Sequence, residues 1–479
     1  MTDIATSTPL VHSKVGTRFI GGKLCLLNQK RGEVWICAGS SHAVWEGLRQ
    51  GLSVPQIAAR LQARYDLPPQ KALADVVRFV EQMWQREILD VPGRDPITDA
   101  ERAKLVKEPS HNKIENPRLV ILAHESQTIG TAWLDLLIPC NLRCRHCYLD
   151  FSKTDMLPLA KVVDIVDQLE KHGTCEIILT GGEIFLRKDL LDIVAHVESR
   201  GFLFDLYTNG NFIDEKMADK LANYAIQKVQ ISVYGTTAAM HETITKKPGT
   251  FAKSMKAIRL LVERGIRVRM QCHIQRDNFE DAFNFPAFAA SLGADYRFDT
   301  KLVPNRNGSH EPLGYGVTIG QQAQLYNAGL IDRLKPDSKC TAASAKVRIN
   351  AAGDIYPCDL ISNVTLGNLH KNTLEEIWGA QWRQDLRNQI VGYKPHRCNG
   401  CGHASDCTPC AALRGFNQEG HMEATVSEAC MLTTSNLVSR GKEIMPNSPA
   451  GRAKVSAEQL LAQNAGELIK KSLVQITLG

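Results

Sequence analysis

The 479-residue chain has no apolar run approaching the ~18–20 residues that span a bilayer, which argues against a helical membrane protein. Its opening, MTDIATSTPL, lacks a basic stretch followed by an apolar core, so no secretory signal is expected and a cytoplasmic location is. There is no internal repeat and no low-complexity tract. Hydrophobic residues at 43% and charged residues at 23% exclude wholesale disorder. The net charge is +6, but Lys and Arg are spread evenly, so no nucleic-acid surface is marked. The length suggests about three units at ~100–200 residues each.

Cysteine, by contrast, is plentiful. With no export expected, 14 cysteines are poorly explained as a disulfide framework. They cluster at Cys140, Cys144 and Cys147 and again as seven between Cys340 and Cys430, leaving Cys25, Cys37, Cys175 and Cys272 alone. Clustered cysteines inside a cell point to metal.

The hydrophobic pattern divides the chain. Residues 16–92 read as short strands over Arg18–Leu27 and Glu33–Cys37, then helices near 41–50, 54–65 and 70–88. The last carries Val76, Val77, Val80, Met83 and Trp84 on one face. Residues 93–130, proline-rich and charged over 92–117, read as a linker. Residues 131–310 alternate strand and helix six times, with strands near 132–138, 176–180, 202–208, 228–234, 267–274 and 295–303. Such alternation predicts an α/β fold, a partial six-fold barrel of parallel strands with helices outside. Buried parallel strands are usually apolar throughout, yet here Arg269, Gln271 and His273 alternate with Val268, Met270, Cys272 and Ile274. Gln230 and Ser232, Asp205 and Tyr207, and Arg297 and Asp299 do the same. With helices covering the outside, the polar set must face the lumen, which suits an enclosed polar ligand. Residues 335–432 are cysteine- and turn-rich, and 433–479 form a weakly amphipathic tail.

Cys140-Asn-Leu-Arg-Cys144-Arg-His-Cys147-Tyr148 follows the first barrel strand. Three thiolates for a four-iron cluster leave one iron open, and an open metal position marks chemistry. A zinc site is the alternative and needs a further ligand, for which His146 is awkwardly placed beside Cys147. The C-x3-C-x2-C spacing with a following aromatic is similar to the signature of the radical SAM superfamily. That resemblance implies S-adenosylmethionine chelated at the open iron of a 4Fe-4S cluster and cleaved reductively to a 5′-deoxyadenosyl radical. By the same resemblance Thr180-Gly181-Gly182-Glu183 matches the methionine-binding GGEP motif, with Ile184 in place of proline. It also implies that Tyr148 sits by the adenine and that Asn209 and Ser232 approach the ribose. Gln271 shares the lumen parity and is taken as a further cofactor contact; His273 reads equally as ligand or structural group. No catalytic acid or base is assigned: Asp277, Asp299 and Lys301 fall near plausible strand ends, where acidic and basic residues are more often structural pairs.

Cys340, Gly353-x4-Cys358, Cys398-x2-Cys401-x5-Cys407-x2-Cys410 and Cys430 are compatible with a zinc ribbon when read alone. Beside the three-cysteine motif they resemble a SPASM domain, implying two auxiliary iron–sulfur clusters. One would be held by Cys398, Cys401, Cys407 and Cys430, the other by Cys340, Cys358 and Cys410 with its fourth ligand unassigned. The final pair, Cys407-Thr-Pro-Cys410, is closer than the usual C-x3-C, leaving the ligand split open. The N-terminal unit resembles a PqqD-like winged-helix (α+β) domain, which captures the leader of a precursor peptide by strand addition. Its DNA-binding alternative is opposed by the charge of residues 1–95, 12 Lys or Arg against 9 Asp or Glu with no basic cluster on the last helix. The resemblance therefore implies an enzyme modifying a ribosomally synthesised peptide, by a thioether or carbon–carbon crosslink or other hydrogen-abstraction chemistry. It would use an external electron donor such as flavodoxin or ferredoxin, with no nucleic acid or membrane partner. The alternatives are maturation of a folded enzyme or its cofactor, and a zinc-bearing winged-helix regulator.

Overall fold

The computed structural model describes residues 4–37, 39–98, 117–333, 339–361, 363–394, 398–407, 410–412, 428–440, 442 and 462. The N-terminal unit opens with β1 (Leu10–Val11), β2 (Val15–Ile20), β3 (Lys23–Asn28) and β4 (Glu33–Cys37). Helices α1 (Ser41–Arg49), α2 (Val54–Tyr65) and α3 (Pro69–Trp84) follow, and β5 (Leu89–Asp90) pairs back on β1. The stretch Arg18–Leu27, read as one strand, is a hairpin. Gly21 and Gly22 take φ of 54° and 73°, the left-handed values that a tight two-residue turn needs and glycine adopts without a Cβ clash. Ser53 starts α2, its N–H bonded to the Gln56 side chain at 2.9 Å. On α3, Val76, Val80 and Met83 are buried while Val77 and Trp84 pack at the margin, so the predicted stripe forms. The helix ends at Trp84 because Glu87, at φ 54°, turns the chain into β5.

The stretch read as linker contains a helix, α4 (Pro117–Glu125), whose Leu119, Leu122 and Ala123 are buried. The flanking prolines hid this short stripe. Leu119 and Leu122 join Ile20, Cys25 and Leu27 of the N-terminal sheet to Cys175 and Leu203 at the entry of two barrel strands.

Six parallel strands follow: β6 (Thr131–Asp135), β7 (Glu176–Thr180), β8 (Leu203–Thr208), β9 (Lys228–Ser232), β10 (Val268–His273) and β11 (Asp295–Asp299). Around them run α5 (Leu159–Lys171), α6 (Leu190–Ser199), α7 (Glu215–Leu221), α8 (Ala238–Thr245), α9 (Thr250–Glu263) and α10 (Phe285–Ser291). The alternation did not reveal α8 and α10, both only two turns long. The register sets Asp205 beside Lys228, Tyr207 beside Gln230, Ser232 beside Gln271 and His273 beside Asp299. The alternate residues Leu206, Ile231, Met270 and Cys272 lie in the apolar core with the helices. The polar set thus shares one sheet face, as the alternation requires.

After α11 (Ile319–Asn327), the cysteine-rich segment contributes β12 (Lys346–Ile349), β13 (Asp354–Tyr356) and β14 (Gly367–Asn368). It continues with α12 (Leu374–Gly379), α13 (Gln381–Gly392) and α14 (Glu428–Val438). Strand β12 was not expected: it pairs in parallel with β6, so the sheet runs β11-β10-β9-β8-β7-β6-β12-β13-β14. Lys346-Val-Arg-Ile349 is short and lies among turns, which masked it.

The N-terminal sheet docks at the strand-entry end of the barrel. A Cβ on Gly16 would come within 1.9 Å of Gly201 O, and one on Gly173 within 2.9 Å of Phe19 O, so these backbones meet directly. Arg18 donates to Thr174 O (2.8 Å) and Arg200 O (2.7 Å) and lies over the Phe202 ring. Gln29 donates to Glu198 O and Phe202 O, both at 2.9 Å. No helix among the described residues is long and apolar enough to cross a membrane.

Candidate active site

Gly181, Gly182 and Glu183 follow the end of β7, Asn209 follows β8 and Ser232 ends β9, at the strand exits where parallel barrels bind ligands, while Gln271 lies within β10. The chain leaves β6 through Leu136 and Leu137 into the cysteine loop. The loop after β7 is zipped to this segment, with Gly182 N–H donating to Leu137 O (2.7 Å) and Glu183 N–H to Pro139 O (3.0 Å). A Cβ on Gly181 would lie 2.4 Å from Leu137 O and one on Gly182 2.2 Å from Pro139 O; only glycine permits this approach. Glu183 is fully buried, and its carboxylate accepts from Thr208 Oγ1 (2.7 Å), Asn209 N–H (2.8 Å) and Phe185 N–H (3.0 Å). Burial pushes its pKa up while these donors oppose the rise. Glu183 therefore fastens the ends of β7 and β8 together. Asn209 in turn donates to Asn141 Oδ1 (2.7 Å) and reaches Cys140 Sγ at 3.9 Å, so it braces the cysteine loop.

The same loop is held from the far side. Arg143 and Arg145 N–H donate to Thr245 O and Ile244 O at the end of α8. Gln275, past β10, bonds His146 Nδ1 (2.9 Å) and accepts from Arg145 Nε (2.7 Å), while Asp277 pairs with Arg145 at 2.5 Å. His273 tilts against His146, and its Nδ1 is buried without a partner among the described residues. Tyr234 is buried beside Cys144 and hydrogen-bonds Ser232. Gln271 is buried on the lumen face, beside Ser232 and Arg297 in register.

Cys140, Cys144 and Cys147 lie within one another's electrostatic reach. Burial raises all three thiols, Cys147 to about 12, and each of the last two is raised further by its cysteine neighbours. Such thiols resist ionisation unless a metal centre supplies positive charge. No three His, Cys, Asp or Glu side chains among the described residues converge closely enough to hold a single ion. Three thiols in one loop that feel one another's charge are the donor set a four-iron cluster with one open iron needs, so the residues fit that group.

Tyr148 is enclosed by a network that the sequence did not disclose. Its hydroxyl meets Arg348 Nη2 at 2.5 Å; Arg348 binds Asp135 in bidentate fashion (2.8 and 2.9 Å) and lies 4.6 Å from the Tyr148 ring centroid. Arg306 adds Asp135 at 3.5 Å and donates its N–H to Tyr148 O. Asp135 and Arg348 follow the same alternating parity as the other lumen residues, a signal present in both strands. Arg348 also contacts Asp359 O, next to Cys358. Lys301 stands 3.5 Å from Asp299, and Asp359 and Cys410 act on its charge, so the cysteine-rich segment approaches the exit of β11. Cys358, raised by burial, also feels Cys410. Cys340 and Cys358 pack on the barrel core, and Cys401 N–H bonds Cys398 O at 3.3 Å. Cys407 and Cys430 are half-buried.

Family comparisons match the same regions. The radical SAM superfamily profile matches residues 139–281, that of coenzyme PQQ synthesis protein D residues 23–89, and that of the SPASM iron–sulfur cluster-binding domain residues 340–402. Among curated proteins, the mycofactocin maturase MftC of Mycobacterium tuberculosis is 27% identical over 311 residues, covering 59% of this chain and 78% of that protein. The PqqA peptide cyclase of Granulibacter bethesdensis is 24% identical, covering 62% and 86%. The fold is similar to that of Streptococcus suis SuiB bound to S-adenosylmethionine, with a TM-score of 0.58, 13% identity, and coverage of 86% of this chain and 98% of that one. The chain thus carries a radical SAM domain between a PqqD-type domain and a SPASM iron–sulfur cluster-binding domain.

Proposed function

We propose that this chain is an enzyme that modifies a ribosomally synthesised precursor peptide by forming a crosslink, such as a thioether or carbon–carbon bond, or by related hydrogen abstraction. One observation carries the reading: a convergent three-thiol loop at the barrel exit and a PqqD-type sheet docked at the barrel entry lie in one chain. A 4Fe-4S cluster with S-adenosylmethionine bound there would supply the chemistry of hydrogen-atom abstraction from substrate.

Cys140, Cys144 and Cys147 would hold that cluster, and Gly181, Gly182, Tyr148, Asn209, Ser232 and Gln271 would contact the cofactor. Glu183 and Asn209 keep the two loops in place. Leu142, Tyr234 and Leu149, all buried, adjoin Cys140, Cys144 and Cys147 respectively. Cys340, Cys358, Cys398, Cys401, Cys407, Cys410 and Cys430 would hold two auxiliary clusters, taking up the electron that net oxidation releases. The leader would add to β4, because β2 abuts the barrel loops while β4 pairs only with β3 among the described residues. The relatives support the substrate class: one is named a peptide cyclase, and SuiB is also known bound to its precursor peptide SuiA. A flavodoxin or ferredoxin would deliver the electron, and the cytoplasm, reducing enough for 14 free cysteines, is the fitting compartment.

Co-expression with each short reading frame flanking the gene, followed by peptide mass spectrometry, tests this. One peptide should lose two hydrogens in a crosslink. Deoxyadenosine formation with every flanking peptide unchanged would instead favour maturation of a folded enzyme or cofactor.

A further inference from the structure

Reductive cleavage needs one electron at the centre held by Cys140, Cys144 and Cys147, supplied from outside the chain at least for the first turnover, and the surface over the cysteine loop carries an unusual charge. The two segments zipped together there, residues 140–147 and 245–251, hold Arg143, Arg145, Lys246 and Lys247 and no acidic residue. Arg145 is neutralised by Asp277. The other three are exposed, and none is in an ion pair among the described residues. Arg143, the chain neighbour of Cys144, donates to Cys140 O and Leu142 O at 2.8 Å and lies over the Phe151 ring at 4.4 Å. Lys247 Nζ donates to Asn141 O at 3.0 Å. Lys246, at φ 57°, is the left-handed cap that ends α8 and forms no side-chain bond among the described residues. Glu242, the one acid on α8, is engaged by Phe251 N–H. Arg143 and Lys247 are thus fixed at the solvent side of the cysteine loop, with Lys246 exposed beside them.

We propose that Arg143, Lys246 and Lys247 form the docking surface for a small acidic one-electron carrier protein that reduces the centre held by Cys140, Cys144 and Cys147. The proposal rests on that cluster reading. Three uncompensated cations attract an acidic face and orient it before contact, raising the encounter rate at low salt. The transfer is balanced: an anionic flavin hydroquinone in the carrier loses one electron to become the neutral semiquinone, and the cluster gains that electron. The surface lies at the barrel exit, away from the N-terminal sheet, so a carrier and a bound leader do not compete.

The test uses reconstituted full-length protein and the hydroquinone of a bacterial flavodoxin, followed by stopped-flow absorbance and by electron paramagnetic resonance of the reduced cluster. Lys246→Glu and Lys246→Glu/Lys247→Glu are compared with wild type. At low ionic strength the double variant should be reduced by flavodoxin at least about ten-fold more slowly, the single variant in between, and the wild-type rate should fall with salt more steeply than either variant's. Dithionite, a small reductant, should reduce all three alike, which separates docking from damage to the loop. Flavodoxin affinity of iron-free protein should weaken in the same order. Equal flavodoxin rates for all three proteins would overturn the proposal. A wild type that binds no iron, or whose iron dithionite cannot reduce, would overturn the cluster reading and the proposal with it.

Discussion

At the scale of single residues, the site depends on buried polar groups whose partners are fixed by sequence-distant loops. Glu183 is the clearest case. Replacing it with glutamine places an amide N–H₂ against backbone donors, so Glu183→Gln should lose about 1–3 kcal/mol of stability in urea unfolding and bind S-adenosylmethionine more weakly. His241 sets a pH dependence. Burial lowers its pKa from 6.5 to about 4, and its Nδ1 accepts Tyr234 N–H at 3.2 Å. The unfolded chain therefore binds this proton more readily than the folded one. His241 leaves stability untouched above pH 6.5 and subtracts from it as pH falls from 6.5 towards about 4. Unfolding midpoints of His241→Asn, which keeps an acceptor, should fall less between pH 6.5 and about 4 than those of wild type. The three-cysteine loop and Gly181-Gly182 were legible because chemistry fixes their spacing. Gln275 and Arg348 were not, because each acts through a contact more than a hundred residues away.

At the scale of elements, β12 is where the cysteine-rich segment becomes part of the barrel. Arg348 and Asp135 are buried together, so Arg348→Met leaves a carboxylate without its main partner. A loss of about 3–5 kcal/mol is expected, and Asp135→Asn/Arg348→Met should recover part of it. Absence of recovery in urea unfolding would mean that the pair contributes packing rather than charge compensation. The six parallel strands were readable from period-two alternation and helical stripes. Strand β12 and helices α8 and α10 were not, being too short for periodicity to establish, while α4 lay among prolines. The Gly21–Gly22 hairpin shows the converse: a strand pattern continues unbroken through a turn when apolar residues flank it on both sides.

For the whole molecule, the N-terminal sheet and the three-cysteine loop lie at opposite ends of one barrel, the ends proposed for leader capture and for radical chemistry. The joint is made of backbone contacts at Gly16, Gly173 and Gly201 and of Arg18. Arg18→Ala removes two hydrogen bonds from a charged donor and should cost about 2–4 kcal/mol. Hydrogen exchange should then rise in both β2 and residues 174–202 together; a rise confined to β2 would mean that the domains are not coupled there. The most direct test of the account as a whole is anaerobic reconstitution with iron and sulfide, followed by assay for 5′-deoxyadenosine with reductant and S-adenosylmethionine. Wild type should form deoxyadenosine, whereas Cys140→Ala/Cys144→Ala/Cys147→Ala should form none while keeping the iron bound by its remaining cysteines. Zinc in place of iron, or iron without cleavage of the cofactor by wild type, would contradict the account.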